Sequence, residues 1–342
     1  MKNYNATVAK IMAIYGKRVT PQDYAEMMNK QSVSEAAEYL KKNTHYSRVL
    51  ASIDTNTVHR GMLENLLRRS VFETYMRITG FEHISKQEFY NYKIIQTEID
   101  EILRCVRFIN ARSKKMITDV PIYINKLTSF DLIELAKIRN FKELLEFLRK
   151  TPYYDVLKKA KVNSDGFADV TNCETLLRSY YIGMMKSSLH FKKSDADQFM
   201  TLLETDIDLI NVINAYRLTA FFGENEDTIE EDMLPFYGRL SAARQREIYS
   251  APNSEEFIKR FSKTYYGKLM IENGYDINNL EHSARQLRYK YAKSALKRSS
   301  SAPLSVYAFI YLLEIEVRNL ISIIEGIRYG VEAGKIASLI IM

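Results

Sequence analysis

The chain has 342 residues, of which 46% are hydrophobic, so it can bury one large core or several and is too apolar for a disordered protein. Its longest apolar run, Val306 to Leu313, is shorter than the about 20 residues that a membrane-spanning helix needs, which argues against a bilayer-crossing segment. The net charge of +7 is compatible with an acidic protein partner, a lipid surface or a nucleic acid. Because 49 basic residues alternate with 42 acidic ones, a solvated surface of mixed charge explains the excess equally well.

The composition predicts an all-α fold. Glycine (12) and proline (6) are scarce, and alternating β-branched runs flanked by hairpin turns are lacking. The two cysteines, Cys105 and Cys173, lie far apart in no metal-ligand spacing, so we expect free thiols, which suit a reducing compartment.

The first recurring element is a basic–apolar–hydroxyl triplet that repeats about every 110 residues. Its hydroxyl residue is predicted to cap a short amphipathic helix, because its oxygen can accept from free backbone N–H groups. The three triplets are Arg18-Val19-Thr20, Lys126-Leu127-Thr128 and Arg239-Leu240-Ser241.

A second predicted helix follows in each copy. Its N-cap lies twelve residues after the first, and a glutamate three residues further on completes a capping-box pattern. The three cap–glutamate pairs are Ser32 and Glu35, Asn140 and Glu143, and Asn253 and Glu256.

Each copy then closes on a Thr-x-Tyr signature. The three signatures are Thr44 and Tyr46, Thr151 and Tyr153, and Thr264 and Tyr266. His45, which stands inside the first signature, corresponds to Pro152 and Tyr265 in the others, so we interpret the signature as structural and His45 as its variable member.

A pair of acidic residues two positions apart recurs further along each copy, within a long helical pattern. The pairs are Glu98/Asp100, Asp206/Asp208 and Glu314/Glu316. Residues two apart point to different sides of a helix, so they cannot form one acid–base site. We expect one member to face another helix or a basic partner, mainly in a structural ion pair, and the other to face water. Two of the three patterns then reach an aromatic–glycine step, at 222–223 and 329–330.

These landmarks predict three tandem, pseudo-symmetric helical lobes, with boundaries near 1–113, 114–223 and 224–342.

The sequence contains no phosphate-binding glycine loop, no HExxH and no CxxC, and we predict no catalytic residue, no metal and no cofactor. The five histidines (His45, His59, His83, His190 and His282) have no ligand spacing. Arginines including Arg217 and Arg328 are candidates for an anion-binding surface, although solvated helix faces are the simpler explanation.

Five segments together resemble one family. They are ATVAKIMAIYGKRVTPQDY near the N-terminus, NTHYSRVL, KTPYYDVL, FFGENEDTIEEDMLPFYGRLS and EIEVRNLISIIEGIRYGVE. The family is the C subunit of the bacterial and archaeal V-type (A-type) ATP synthase, related to the d subunit of the eukaryotic vacuolar proton ATPase. The resemblance covers about residues 4 to 340. The chain departs from it at Phe236-Tyr237-Gly238, where paired glycines are common, and at Lys10, where arginine is expected.

The resemblance implies a funnel of three lobes around a central cavity, and a protein that performs no chemistry. It implies a rotor adaptor on the cytoplasmic face of the membrane, peripheral to it, which joins the central-stalk subunits to the membrane rotor ring and transmits torque during proton or sodium transport. We assign partner binding to basic residues, chiefly at loop ends. These are Lys10, Lys17, Arg18, Lys126, Arg217, Arg239 and Arg328.

Two other classes remain open. A soluble helical-repeat scaffold for an acidic protein partner would share the lobes and the charge. A nucleic-acid-binding protein would account for the pI near 9.0 and the 24 tyrosines, although no block of five like charges supports it.

Overall fold

The computed structural model describes residues 5–81, 84, 88–112, 120–189 and 193–342. The predicted lobe boundary at 113/114, His83 and His190 lie outside the described residues. Within those residues, one isolated antiparallel bridge joins Val162 to Ala168 and no strand occurs. The predicted all-α class is confirmed.

Helices account for most of the described chain. In chain order they are α1 (Asn5–Tyr15), α2 (Pro21–Met28), α3 (Val33–Asn43), α4 (Arg60–Thr79), α5 (Tyr92–Asn110), α6 (Leu132–Leu135), α7 (Phe141–Phe147), α8 (Pro152–Leu157), α9 (Val170–Ser187), α10 (Lys193–Arg217), α11 (Glu226–Asp232), α12 (Ala242–Tyr249), α13 (Ser254–Ser262), α14 (Tyr265–Glu272), α15 (Leu280–Arg298), α16 (Ala302–Arg328) and α17 (Ala333–Ala337). Single 3₁₀ turns are His45–Arg48, Glu88–Asn91 and Ile122–Ile124, and a π-helix follows α10 at Leu218–Phe222.

The predicted caps of the second helix are confirmed in all three copies. The side chains of Ser32, Asn140 and Asn253 each accept a hydrogen bond from the backbone N–H three residues later. The box glutamates Glu35 and Glu143 reach back one residue further than predicted, since they accept from the N–H of the residue before the cap.

The cap of the first helix is confirmed at Thr20 and Ser241, but the prediction for Thr128 is wrong. Asp131, three residues later, caps α6 by accepting from the N–H groups of Ile133 and Glu134. The Thr128 hydroxyl instead donates to the carbonyls of Asn125 and Phe130. Because this cap lies three residues later than predicted, the segment available to α6 before α7 begins is three residues shorter. Helix α6 is therefore a single turn.

The described chain divides into two compact units. The first comprises the described residues of 1–85, 193–202 and 270–342, and the long helix α16 forms its centre, with α1, α4 and α15 packed against it. Helix α17 lies so close to α16 that a Cβ on Gly326 would come within 2.5 Å of the Ile336 side chain. The Asn319 amide holds the last residues by donating to the Ile341 carbonyl at 2.6 Å and accepting from its N–H at 3.0 Å.

The second unit comprises the described residues of 86–192 and 203–269, where α5 packs against α9. Cys105 and Cys173 are free and buried, and burial raises the pKa of each thiol to about 12. The prediction of free thiols is confirmed. The Asn211 amide contacts Leu234 in the way that Asn319 contacts Ile341. It donates to the Leu234 carbonyl at 3.0 Å and accepts from the Leu234 N–H at 2.9 Å.

Three long helical segments end at a residue in the left-handed conformation. The predicted aromatic–glycine steps provide two of these ends, at Gly223 (φ 64°) and Gly330 (φ 63°), and Arg112 (φ 50°) follows α5. Glycine adopts this conformation without steric cost, whereas arginine does not. The π-helix before Gly223 accommodates one additional residue relative to α16, as π-bulges commonly do.

The caps can be tested at Asn253, whose oxygen accepts from the Glu256 N–H at 2.9 Å. Asn253→Ala should lower the free energy of unfolding by about 1 kcal/mol, because that N–H loses its partner. Ser254→Ala, one residue further into the helix, is the matched control and should change it by less than about 0.5 kcal/mol. Denaturant unfolding measures both, and equal losses would contradict the cap.

Candidate functional site

Three buried carboxylates are the most unusual feature of the described chain. Glu98 on α5, Asp208 on α10 and Glu316 on α16 are 3%, 0% and 7% exposed. Each belongs to one of the predicted acid pairs. An unpaired charge in such a place is costly, so the partners of each carboxylate determine what it can do.

Glu316 accepts hydrogen bonds from groups of the first unit. The Val19 N–H donates to Oε2 at 2.9 Å, and the Tyr46 hydroxyl donates to Oε1 at 2.9 Å. The imidazole Nε2 of His45 lies 2.7 Å from the same Oε1. His45, which the sequence suggested was merely variable, therefore contributes to this cluster.

Glu98 is held in the same way within the second unit. The Tyr153 hydroxyl donates to Oε2, and the N–H of Ser129 donates to Oε1. Burial, followed by the charge of Glu98, raises the pKa of Tyr153 well above its usual value. The phenol therefore remains a protonated donor.

Asp208 has the largest set of donors. The N–H groups of Gly238 and Leu240 and the hydroxyl of Tyr266 each donate at 3.0 Å. The amide of Gln245 approaches at 3.4 Å. Burial raises the pKa of Asp208, and these donors offset part of that shift because they stabilise the charged form.

The three sites correct the predicted ion pairing. Among the described residues, no Lys or Arg pairs with any of these three carboxylates; a tyrosine hydroxyl and backbone N–H groups take that role, joined at Glu316 by the His45 imidazole. Asp100, the other member of its pair, is exposed, as expected for the water-facing position. Hydroxyl and amide donors suit a dry site because they stabilise the acceptor without burying a second full charge.

Each signature threonine fixes the backbone beside its tyrosine. The hydroxyls of Thr44, Thr151 and Thr264 donate to the carbonyls of Leu40, Leu148 and Phe261 at 2.7, 2.8 and 2.7 Å. Leu40 and Phe261 belong to the helix before the signature, and Leu148 is the residue that directly follows α7. Tyr46, Tyr153 and Tyr266 are at most 1% exposed. The six signature residues thus join a short helix to a carboxylate on a long one.

The predicted partner-binding cations are distributed over both units. In the first unit, Lys10 donates to the Arg77 carbonyl at 3.0 Å, Lys17 and Arg328 are exposed, and Arg18 lies over the Tyr15 ring. In the second, Lys126 and Arg217 are exposed, and Arg239 lies 4.5 Å from the centre of the Tyr265 ring.

Within the described part of the chain, no three His, Cys, Asp or Glu side chains are grouped closely enough to hold a metal ion. The same residues include no helix that is both long and apolar enough to cross a membrane.

Sequence reasoning missed three structural residues: Asn211, Asn319 and Gly238. The two asparagines share a usable signal, since each stands three residues after a buried carboxylate. Gly238 is required by close approach, because a Cβ there would lie 2.7 Å from Asp208 Oδ2 and 2.8 Å from Glu204 Cβ.

Removing the hydroxyl of a signature tyrosine should destabilise the fold. Tyr46→Phe, Tyr153→Phe and Tyr266→Phe each delete a donor to a buried carboxylate, and each should lower the free energy of unfolding by about 1.5–3 kcal/mol. Tyr329→Phe, at a residue that is 68% exposed, is the control and should be nearly neutral. Chemical denaturation compares the four variants. A loss at Tyr329 as large as at Tyr46 would argue against the carboxylate contacts.

Gly238 offers a second test. Gly238→Ala should destabilise the protein by about 1–3 kcal/mol, because its methyl group displaces Asp208 or the α10 backbone. Gly183→Ala, on α9 of the same unit with no atom within 4 Å of the new Cβ, should stabilise it by up to about 1 kcal/mol. Thermal unfolding of the pair checks the opposite signs, and a common sign would refute the packing argument.

Comparison with known proteins identifies relatives along nearly the whole chain. The family model for the ATP synthase (C/AC39) subunit matches residues 7–339. The C subunit of the A-type ATP synthase from Methanococcoides burtonii is 24% identical over 335 residues, covering 95% of this chain and 90% of the relative. Its counterpart from Methanosarcina barkeri is 22% identical over 315 residues, covering 89% and 82%. The chain therefore belongs to the ATP synthase (C/AC39) subunit family.

Proposed function

We propose that this chain is a non-catalytic adaptor in the central rotor of a V/A-type ATPase. In this role it links the central-stalk subunits to the membrane rotor ring, on the cytoplasmic face of the membrane, and transmits torque while protons or sodium ions are transported. The observation that carries the proposal is the family match over residues 7–339. A protein in this role needs rigidity and binding surfaces rather than reactive groups.

The buried carboxylates support the non-catalytic part of the proposal. A general base must come within hydrogen-bond reach of a substrate proton. Both oxygens of Glu98, Asp208 and Glu316 accept hydrogen bonds from the chain itself, and all three carboxylates are buried. They are engaged in holding loops to helices, which favours a mechanical role.

We further propose that the three predicted lobes form a funnel around a cavity that receives the stalk. Three carboxylate–tyrosine contacts of the same type, on α5, α10 and α16, support three related copies, and each contact joins the acid of one predicted lobe to the signature tyrosine of another. The exposed cations Lys17, Arg18, Lys126, Arg217, Arg239 and Arg328 remain our candidates for contact with acidic groups of the partners. Lys10 is the least suited of the seven candidates, because it is only half-exposed and its ammonium group donates to the Arg77 carbonyl.

The role is tested by co-purification of the tagged chain with the stalk subunits and with the isolated ring. We expect binding to both partners and no ATPase activity from the chain alone. Capture of neither partner would overturn the rotor role and leave the helical scaffold for another acidic protein as the better explanation.

A charge variant sharpens the test. Arg239→Glu should weaken partner binding by about fivefold to tenfold, since one favourable charge contact becomes repulsive. Lys142→Glu on α7, an exposed lysine with no described contact, is the matched control and should leave binding unchanged. Surface plasmon resonance at two salt concentrations measures both, and equal effects would remove Arg239 from the interface.

A further inference from the structure

The first unit contains a small pocket beside Glu316. Its volume is about 100 Å³, and its walls come from α1, α15 and α16 together with the segment around Val19. Most of its lining is apolar, including Val19, Phe309 and Leu313, which are at most 6% exposed. A pocket of this kind suits a ligand with an apolar portion. The polar groups of the pocket determine which polar or charged group that ligand carries.

Two cationic side chains border the pocket without a counter-ion. The Arg18 guanidinium lies 4.5 Å from the centre of the Tyr15 ring and donates to the Tyr15 carbonyl at 3.2 Å. The Lys293 ammonium lies 5.3 Å from the centre of the Tyr289 ring. Both rings line the pocket. Neither cation pairs with a carboxylate in the described residues, so cation–π contacts position two charges that remain available to a ligand.

The carboxylate already present does not neutralise them. Glu316 lines the pocket, but both of its oxygens are already engaged: the Val19 N–H and the Tyr46 hydroxyl donate to them, and His45 Nε2 lies 2.7 Å from Oε1. In addition, the Tyr15 hydroxyl is buried beside the pocket and has no hydrogen-bond partner. An unpartnered buried hydroxyl in a residue only 7% exposed is uncommon and calls for an explanation.

The polar groups therefore require a ligand that supplies acceptors. Arginine and lysine only donate hydrogen bonds, and an anionic oxygen satisfies both. The volume is smaller than that of the about 150 Å³ apolar cavity that accommodates benzene, so it is too small for a nucleotide. A carboxylate on a chain of about two or three carbon atoms fits this room, with its carbons against the apolar wall. Inorganic phosphate carries the charge but leaves the apolar lining unmatched.

We propose that this pocket binds a carboxylate on a short aliphatic chain, with Arg18 and Lys293 holding the charge. The ligand is either a free short-chain carboxylate or the side chain of a glutamate or aspartate of a partner protein. The assignment of the ligand to an acidic side chain of a partner rests on the proposed rotor function. The proposal that the pocket binds a short aliphatic carboxylate does not depend on that function.

The first measurement is a titration of the full-length chain with sodium butyrate, with butyramide as the uncharged isostere and sodium phosphate as the anion that lacks an apolar portion. Methyl NMR of Leu312 and Leu313, which line the pocket, reports occupancy. We expect saturable shifts with butyrate only. Arg18→Gln and Lys293→Gln should each weaken binding by about tenfold or more, because each removes a charge-assisted hydrogen bond. Lys297→Gln, one turn beyond Lys293 and outside the lining, should leave it unchanged.

The second measurement applies the same three variants to co-purification with the stalk subunits and the ring. If butyrate does not bind but Arg18→Gln and Lys293→Gln weaken partner capture about tenfold while Lys297→Gln does not, the ligand is an acidic side chain of the partner. The proposal is overturned if butyramide or phosphate binds as well as butyrate. It is also overturned if neither measurement distinguishes the two lining variants from Lys297→Gln. A wild-type chain that captures no partner but binds butyrate refutes the rotor role and retains the pocket.

Discussion

The need to stabilise a buried carboxylate governs the structure. Glu98, Asp208 and Glu316 lie where water does not reach them, and an unsatisfied carboxylate there would cost more than most single contacts contribute. Each is satisfied by a tyrosine hydroxyl and a backbone N–H from a loop that precedes a short helix. The loops, the short helices and the signature threonines are therefore positioned by the same requirement. This explains why the three copies keep Thr-x-Tyr and an acid where other side chains vary.

The contacts also stiffen the packing of the elements that they join. Each carboxylate joins a long helix to a loop and to a signature tyrosine, so none of these elements can shift without leaving a buried charge or a buried N–H unpaired. Apolar packing alone would permit small sliding motions at little cost. Directional hydrogen bonds to a charge resist them, which is the stiffness that the proposed rotor role would need.

Much of this could be predicted from local patterns, and the remainder could not, for physical reasons. Caps such as Ser32 and Asn253 depend on a few neighbouring residues, so sequence spacing finds them. Asp131 was missed because the hydroxyl of Thr128 stands at the spacing that the other two copies use for the cap. Periodicity shows that the two acids of a pair face different sides of their helix. It does not show that a tyrosine hydroxyl far away in the sequence donates a hydrogen bond to the buried acid. The contact of His45 with Glu316 was missed because the other two copies have no histidine at this position. A residue that differs among the copies was taken to have no structural role.

The pairing of signatures with acids sets an order for biosynthesis. Tyr153 meets Glu98 after 55 further residues and Tyr266 meets Asp208 after 58, so both contacts can form soon after the ribosome releases those segments. Tyr46 must wait for Glu316, 270 residues later. Because chains emerge at about 5–20 residues per second, the first signature spends a substantial fraction of a minute without its acceptor. The first signature consequently waits longest of the three for its acceptor, and α16, synthesised near the end, completes the N-terminal helices.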